Sequence, residues 1–396
     1  MKYLILGGGP TGLTIGCKLK KAGIDDFLIL EKESEAGGLC RSEDVDGSPF
    51  DIGGGHFLDV RKQDVNTFLY QFMPREEWDE YSRDSRIFIH DIYINSPIEA
   101  NIWQMKTEDQ VEYLKSIAIA GCNLDVPKPV KFTNWILWKL GKKVSEDYML
   151  PYNRKMFGED LDSLGTYWLE KLPDVSFEET LLSCLNKEPY GKQPAHAHFL
   201  YPKKYGYGEV WRRMAEYLGD NIKYNTAVET IDLDAKIVNN EYSADMIINT
   251  APWDSFKEIK GLTEELTAEI GELKHTGVVT EYIAEKLDTP AHWIYYPDEE
   301  LSYHRILVRH NFCPGSKGYW TETRKERYVH KEGETAFLNE YAYPLNTLKK
   351  PEIMSKLLSF TEEKNVFGVG RWGEWQHYNS DVVVEKAMAF ADKIIG

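Results

Sequence analysis

The alternation of apolar and polar residues predicts a strand, a helix and a second strand at the start of the chain. Residues 2–6 form a short apolar run, residues 13–22 have helical spacing, and residues 27–30 are apolar again. The same criteria predict a helix at 64–72 and a strand or hairpin at 86–94. The chain therefore opens with a β-α-β unit and continues into mixed structure.

The pattern changes twice farther along the chain. Apolar spacing is largely helical from about residue 107 to 185, whereas short strands are predicted at 221–252 and at 278–308. A strand at 366–371 and a helix at 381–395 follow. We predict an α/β fold with a Rossmann-like domain assembled from separated pieces of chain.

Composition narrows the class of partner. The chain has 396 residues, of which 42% are hydrophobic, and a formal net charge of −17. An acidic surface of this kind argues against nucleic acid as a partner and favours a small molecule. No apolar stretch is long enough to span a membrane, so we predict a cytoplasmic protein. The five cysteines and ten histidines have no metal-ligand spacing, so we predict reduced thiols and no metal.

A glycine-rich loop joins the first predicted strand to the first helix. It reads Gly7-Gly8-Gly9-Pro10-Thr11-Gly12, and Glu31 ends the next strand. Gly7 permits a tight turn, Gly9 lets the backbone approach a pyrophosphate, and Gly12 lets the helix pack on the strand. Glu31 lies where a carboxylate accepts hydrogen bonds from an adenosine ribose. A plain glycine-rich turn is the alternative, and the β-α-β flanks disfavour it.

Two more glycine turns follow Glu31. The first lies within residues 32–42 and contains Gly37-Gly38-Leu39, and the second is Gly53-Gly54-Gly55-His56. They resemble the FAD-binding signature of the superfamily that contains the amine oxidases, protoporphyrinogen oxidase and UDP-galactopyranose mutase. The resemblance implies FAD bound by a Rossmann-like domain (GR2-type), with an inserted helical plus antiparallel-sheet substrate domain.

Later blocks resemble UDP-galactopyranose mutase more than the oxidases. They are the Gly370-Arg371-Trp372-Gly373 loop that leads to Asp381, the segments 150–157 and 199–211, and Trp293 to Pro297 with Arg305 twelve residues after Trp293. The resemblance implies a UDP-sugar substrate. It implies that reduced FAD, through N5, attacks the anomeric carbon, and that the sugar recloses with a smaller ring without net redox change. NAD(P)H is a candidate electron donor.

The resemblance also assigns residues to the two ligands. The implied cofactor-binding residues are Gly7, Gly9, Pro10, Thr11, Gly12, Glu31, Lys32, Gly38, Leu39, Arg41, Gly54, Gly55, His56, Val228, Thr250, Gly370, Arg371, Ser380, Asp381 and Val382. The implied substrate-binding residues are Tyr152, Asn153, Trp293, Tyr295, Arg305, Tyr343, His377 and Tyr378. His56 and Arg305 are the catalytic candidates, and no side-chain nucleophile is required.

The substrate residues depart from the mutase pattern at two places. His377 stands where the mutase has a tyrosine, with Tyr378 adjacent. Leu172 stands where a second diphosphate arginine is expected, with Lys171 one residue earlier. Packing alone would also explain Trp293 and Tyr295, which alternate as strand residues do.

Three functions therefore stay open. The first is a nucleotide-sugar mutase, the second is an FAD-dependent oxidoreductase acting on an amine or cyclic substrate, and the third is a flavin-binding protein without chemistry. The predicted FAD-binding domain comprises residues 1–85, 205–275 and 360–396. The predicted substrate domain comprises 86–204 and 276–359, helical at about 105–190 and sheet at about 278–345. The oligomeric state is not predicted, and we take the 314–330 loop as a solvated surface loop.

Overall fold

The computed structural model describes residues 1–169, 176–190 and 197–396. In chain order its strands are β1 (Tyr3–Leu6), β2 (Phe27–Leu30), β3 (Ser42–Val45), β4 (Ser48–Asp51), β5 (Leu58–Asp59), β6 (Trp78–Ser82), β7 (Ser85–Ile89), β8 (Ile92–Asn95), β9 (His198–Pro202), β10 (Ile222–Lys223), β11 (Thr230–Asp232), β12 (Ile237–Val238), β13 (Tyr242–Ser243), β14 (Met246–Asn249), β15 (Glu258–Lys260), β16 (His275–Ile283), β17 (Trp293–Tyr295), β18 (Arg305–Leu307), β19 (Tyr319–Arg324), β20 (Thr335–Pro344) and β21 (Val366–Gly368). Its helices are α1 (Pro10–Lys21), α2 (Gln63–Leu69), α3 (Thr107–Ala118), α4 (Phe132–Val144), α5 (Leu150–Phe157), α6 (Phe177–Asn186), α7 (Gly208–Leu218), α8 (Glu264–Ile270), α9 (Lys350–Glu362), α10 (Gly370–Gly373) and α11 (Ser380–Ile395), with a π-helical turn (Ser145–Met149) between α4 and α5.

A parallel sheet carries the N-terminal loop. Its order is β10-β2-β1-β14-β21, and every pairing in it is parallel. All four residues of β1 are buried, because Tyr3 and Ile5 share a core with α1 whereas Leu4 and Leu6 share a second core with β11, β12 and α9. Helix α1 packs against α7 and α11. The strands come from three separated stretches of chain, which confirms the predicted Rossmann-like domain built from discontinuous segments.

A larger sheet, which we call the substrate sheet, has the order β20-β16-β19-β18-β17-β7-β8. Its pairings are antiparallel except for β17 with β7. The predicted hairpin at 86–94 is confirmed and forms one edge of this sheet. The prediction of a solvated loop at 314–330 is wrong, because residues 319–324 form β19, an inner strand whose Trp320 is fully buried. Helices α3 to α6 lie where helical spacing was predicted, and apolar residues of α3 and α4 share a core with β7 and β8.

The two parts of the chain share one core. Phe57 packs against Trp293, with ring centroids 4.6 Å apart, and Phe50 packs against Trp320 at 4.9 Å. Arg309 is fully buried and donates hydrogen bonds to four backbone carbonyls, three of them in the β3-β4 hairpin. The hairpin is therefore fixed to the substrate sheet, and the predicted domain boundaries stay a prediction.

Candidate functional site

The loop after β1 has the geometry of a phosphate-binding turn. Gly7 has a φ of +105°, a conformation that favours glycine. A Cβ on Gly12 would lie 2.0 Å from the Gly7 carbonyl oxygen, so only glycine fits there. A Cβ on Gly9 would meet nothing within 4 Å, and Gly9 begins α1 without a side-chain cap. The first N–H groups of α1 can therefore bind an anion beside Gly9.

Glu31 closes this loop from the end of β2. Its Oε2 accepts a hydrogen bond from the Gly8 N–H at 2.7 Å, and its Oε1 accepts one from the Glu33 N–H at 2.9 Å. Burial raises the pKa of Glu31, and the two backbone hydrogen bonds oppose that rise. Each oxygen keeps a lone pair for a ribose hydroxyl. The neighbouring Lys32 is exposed, and its Nζ lies 3.4 Å from the Glu33 Oε1.

Two predicted cofactor residues from the second half of the chain lie beside the loop. The Thr250 hydroxyl, just after β14, donates to the Leu6 carbonyl at 2.8 Å. Val228 is partly buried and follows Thr226, whose N–H donates to the Glu31 carbonyl at 2.8 Å. Residues more than 190 positions away in sequence therefore complete the loop.

The first glycine turn packs against the phosphate-binding loop. A Cβ on Gly38 would lie 3.4 Å from the Cα of Gly9. The Arg41 Nε donates to the Gly38 carbonyl at 3.2 Å and so braces the turn. A Cβ on Gly53 would lie 2.0 Å from the Leu39 carbonyl oxygen, so the second turn lies directly on the first.

The second turn presents His56. Gly54 has a φ of +87°, and a Cβ on Gly55 would clash with the Leu307 side chain at 2.2 Å. The His56 Nδ1 lies 2.8 Å from the Gly54 carbonyl; because a carbonyl only accepts, Nδ1 carries the proton. Burial lowers the pKa of His56 to about 4. The imidazole is therefore neutral at pH 7 with its lone pair on Nε2, and the ring stacks on Tyr207.

Asp51, which sequence reasoning missed, anchors the second turn. It is fully buried and accepts hydrogen bonds from the Ser42 hydroxyl at 2.5 Å, the Tyr201 hydroxyl at 3.0 Å and the Tyr207 N–H at 3.1 Å. Burial raises the pKa of Asp51 to about 7. The signal available in the sequence was an acidic residue two positions before the first of the three glycines.

The Gly370-Arg371 loop reaches the phosphate-binding loop from the other end of the chain. Gly370 has a φ of +81°, and a Cβ there would lie 2.1 Å from the Thr11 hydroxyl oxygen. The Arg371 guanidinium donates to the backbone carbonyls of Tyr378, at 2.6 Å, and Ala342. Burial lowers the pKa of Arg371 to about 10, and its Nε is buried without a hydrogen-bond partner in the described part of the chain.

Helix α11 begins at the same place. The Ser380 hydroxyl lies 2.7 Å from the hydroxyl of Tyr207, the residue on which His56 stacks. Asp381 is buried and Val382 is partly buried in the first turn, and α11 has no side-chain cap. The start of α11 and the second glycine turn therefore both contact Tyr207.

The substrate sheet supplies a row of polar residues opposite these turns. Tyr295, Arg305 and Glu322 are register partners on β17, β18 and β19, so their side chains share one face. The Tyr152 ring, from α5, meets Tyr295 edge-on at 5.6 Å. Burial raises the pKa of Tyr343, and the charge of Arg305 opposes that rise, so the two side chains are neighbours. We call these residues the polar row.

The polar row meets the C-terminal loop at Tyr343. The His377 ring lies 5.1 Å from the Tyr343 ring, and the Arg371 guanidinium lies 5.7 Å from the same ring. The structure therefore brings predicted substrate residues and a predicted cofactor residue together.

Glu322 is a second residue that sequence reasoning missed. Its Oε2 accepts hydrogen bonds from both the Nε of Arg305, at 3.1 Å, and the Nη2, while the His304 Nε2 lies 3.6 Å away. Its Oε1 would be 2.5 Å from a Cβ on Gly54. Burial favours the neutral acid, but the charge of Arg305 together with the hydrogen bonds and charge from Arg305 and His304 outweighs it and lowers the pKa of Glu322 to about 2. The Arg305-Glu322 pair is therefore neutral overall.

The fold and the N-terminal loop both have counterparts among known proteins. Residues 5–72 match the family model described as NAD(P)-binding Rossmann-like domain. An uncharacterized protein in the nifH2 3' region of Methanothermococcus thermolithotrophicus is 51% identical over 53 residues, which are 13% of this chain and 50% of that protein. The chain therefore aligns with only about half the length of this relative.

Several solved structures match the whole chain. A reduced UDP-galactopyranose mutase has a TM-score of 0.90 at 21% sequence identity, covering 100% of this chain and 94% of that one. The chain has the fold of UDP-galactopyranose mutase. A protein of Exiguobacterium sp. 255-15 that is provisionally assigned as a protoporphyrinogen oxidase has a TM-score of 0.71 at 13% identity, covering 100% and 98%. These likenesses show the fold alone.

Within this mutase fold, Arg83 joins the polar row although no sequence pattern indicated it. Its Nη2 donates to the Tyr295 hydroxyl at 2.8 Å, its Nε donates to the Ser85 hydroxyl at 2.5 Å, and the guanidinium lies 4.6 Å from the Trp293 ring. Trp293 itself is buried in the shared aromatic core. Packing and the Arg83 contact therefore account for its position.

Three further predicted substrate positions complete the comparison. The Asn153 side-chain amide donates to the carbonyl four residues earlier at 2.6 Å, and the Tyr378 hydroxyl donates to Glu374 at 2.8 Å. Each of these two groups thus has a partner four residues earlier in the chain. Leu172 and Lys171, where a second arginine was expected, lie outside the described residues.

Across residues 1–169, 176–190 and 197–396, no helix combines the length and the apolar run required to cross a membrane.

Proposed function

We propose that the protein is an FAD-dependent enzyme. FAD fits the residues present, because the open space at Gly9 suits a pyrophosphate and the free lone pairs of Glu31 suit a ribose. The buried Nε of Arg371 has no acceptor among the residues that the structure describes, and a carbonyl or ring nitrogen of the cofactor would satisfy it. NAD(P)H remains a candidate electron donor.

The substrate that we propose is a UDP-sugar, and the reaction is interconversion of its pyranose and furanose forms. The observation that carries this proposal is the polar row, where Arg305 and three tyrosines, Tyr152, Tyr295 and Tyr343, converge opposite His56. A guanidinium and phenolic hydroxyls together suit the oxygens of a diphosphate. The mutase fold supports the same assignment.

Bound reduced FAD supplies a nucleophilic nitrogen for such a reaction, which has no net redox change. The residues of the chain would bind and orient the substrate. Arg305 and Tyr343 would hold the diphosphate as it departs and returns, which stabilises its charge. Neutral His56 would accept a hydrogen bond at Nε2, while its Nδ1–H group would continue to donate to the Gly54 carbonyl. The buried surroundings would exclude water.

The proposal is tested with purified protein reduced by dithionite. The reduced protein is incubated with UDP-galactopyranose and with UDP-N-acetylgalactosamine, and the furanose product is measured by chromatography. We expect furanose from at least one of them and none from oxidised protein. The variant Tyr343→Phe, which removes one hydroxyl, should lower turnover at unchanged flavin content. Absence of furanose from a panel of UDP-sugars would refute the mutase assignment.

A second candidate function is an FAD-dependent oxidoreductase acting on an amine or cyclic substrate. The observation in its favour is Glu322, because an ionised carboxylate beside Arg305 cancels the positive charge that a diphosphate requires. An ammonium group would meet a more favourable potential there. Mixing the oxidised protein anaerobically with a panel of amines distinguishes the two: bleaching of the flavin absorbance supports the oxidoreductase.

A further inference from the structure

The polar row carries too little positive charge for its proposed ligand, because Glu322 offsets the charge of Arg305 and leaves that of Arg83. Arg305 is the only arginine among the predicted substrate residues, and Glu322 accepts two of its hydrogen bonds. A diphosphate carries at least two negative charges, so binding needs another cation on the same face of the substrate sheet.

Arg324 occupies such a position. It lies two residues after Glu322 on β19, and residues two apart on a strand point to the same face. Arg305 is the register partner of Glu322, which makes Arg324 the diagonal neighbour of Arg305. Diagonal neighbours of this kind are about 7–8 Å apart, a separation that two guanidinium groups can close around adjacent phosphates.

The guanidinium of Arg324 is nearly buried and only loosely paired. Its side chain is 13% exposed, and its Nε is enclosed without a hydrogen-bond partner among the described residues. The nearest carboxylates are those of Glu326, at 3.4 Å, and Glu159, at 3.9 Å, and both side chains are more than half exposed. Charge-assisted hydrogen bonds are shorter, about 2.7–2.9 Å. Such surface contacts cost little to break.

Gly158 and Phe157 place Arg324 beside the polar row. The Arg324 Nη1 lies 2.6 Å from where a Cβ on Gly158 would stand, at the end of α5. The ring of Phe157, the preceding residue, meets the Tyr343 ring edge-on at 6.4 Å. Arg324 therefore lies against the end of α5, whose last residue contacts Tyr343.

The geometry points to Arg324 as a second anion-binding residue, which with Arg305 holds the two phosphate groups of a nucleoside diphosphate. The inference rests on the proposed function, because it names how the same site binds its substrate. A second planar guanidinium adds the positive charge that Glu322 removes, and it can bind phosphate oxygens bidentately. Glu159 and Glu326 would release it to the ligand and remain in solvent.

The test is calorimetric titration of the flavin-containing protein with UDP and with uridine, at fixed ionic strength. Arg324→Gln should raise the Kd for UDP about 10- to 100-fold, the effect of losing a charged hydrogen bond, and leave the Kd for uridine unchanged. Arg324→Lys should fall between, because it keeps the charge and loses the fork. The matched control is Arg154→Gln, since Arg154 on α5 is paired with Glu299; its UDP affinity should equal that of the unmodified protein.

Each other outcome has one meaning. Unchanged UDP affinity in Arg324→Gln overturns the inference and leaves the proposed function standing. If Arg324→Gln weakens the binding of UDP and of uridine equally, Arg324 has a structural role and the inference is overturned. The inference is also overturned if Arg324→Gln binds UDP with normal affinity and Arg324→Lys does not. Failure of the unmodified protein to bind UDP refutes the proposed substrate itself. Flavin content and melting temperature, measured for all variants, verify the fold.

Discussion

Replacing Glu322 with glutamine should destabilise the protein by an amount that depends on pH. Glu322 is 1% exposed and accepts two hydrogen bonds from Arg305. Burial alone would raise its pKa, but Arg305 and His304 together lower it to about 2, against an ordinary value of 4.5. A carboxylate with a lowered pKa stabilises the fold above pH 4.5. That contribution is lost as the pH falls from 4.5 through 2.

The magnitude follows from the same two pKa values. A displacement from 4.5 to about 2 corresponds, at about 1.4 kcal/mol per pH unit, to about 3 kcal/mol at pH 7. Glutamine keeps the shape and one acceptor oxygen but not the charge, so Glu322→Gln should lose about this amount. The difference between the two proteins should narrow to about 2 kcal/mol at pH 3.5, because part of the wild-type contribution is gone there.

Urea unfolding of both proteins at several pH values between 7 and 3.5 measures this difference. Glu229→Gln is the matched control, because Glu229 pairs with Lys257 on the surface and is 53% exposed; it should change the free energy of unfolding by less than about 1 kcal/mol. A difference for Glu322→Gln that stays constant with pH, or grows as the pH falls, would refute the reasoning.

Three other substitutions test the framework. Gly9→Ala should leave the stability of the fold unchanged, because nothing lies within 4 Å of the new Cβ, but it should lower the flavin content by blocking the pyrophosphate. Absorbance near the flavin maximum measures the flavin content, and full retention of flavin would contradict the placement of the pyrophosphate at Gly9. Gly12→Ala should instead destabilise the apoprotein by about 3 kcal/mol or more in urea, since its Cβ would lie 2.0 Å from the Gly7 oxygen; an unchanged midpoint contradicts the close packing. Arg309→Met should lower the free energy of unfolding by about 4 kcal/mol, because four buried carbonyls lose a charged donor. The control Arg154→Met, at an exposed ion pair, should lower it by less than about 1 kcal/mol. Equal losses would show that Arg309 stabilises the fold no more than a surface pair does.

The cofactor end was predictable because its signals are local. The spacing of Gly7, Gly9 and Gly12 needs only one strand and one helix, and the structure places a strand and a helix on either side of them. The meeting of Gly370 with Thr11 is not local. It could be expected only through the family resemblance, since no pattern within residues 366–381 indicates its partner.

The polar row was less predictable because it depends on strand register. Arg305 and Glu322 are 17 residues apart on different strands, and a shift of one residue would have turned Glu322 to the other face. Arg83 and Arg324 carry no motif, and only the fold shows that Arg83 bonds to Tyr295 of the row and that Arg324 lies at the end of α5. Asp51 follows the same logic, because Tyr201 and Tyr207, two of its three hydrogen-bond partners, come from distant parts of the chain.

The order of strands in the parallel sheet has a consequence for synthesis on the ribosome. β1 is flanked by β2, made at once, and by β14, which begins at Met246, while β21 follows only at Val366. A growing chain therefore exposes one edge of β1 to solvent until more than 240 residues have been made. Gly370 reaches Thr11 later still. A nascent or truncated chain that lacks the last thirty residues should thus leave the nucleotide pocket open. We therefore expect the ligand to bind only after the final helix has been made.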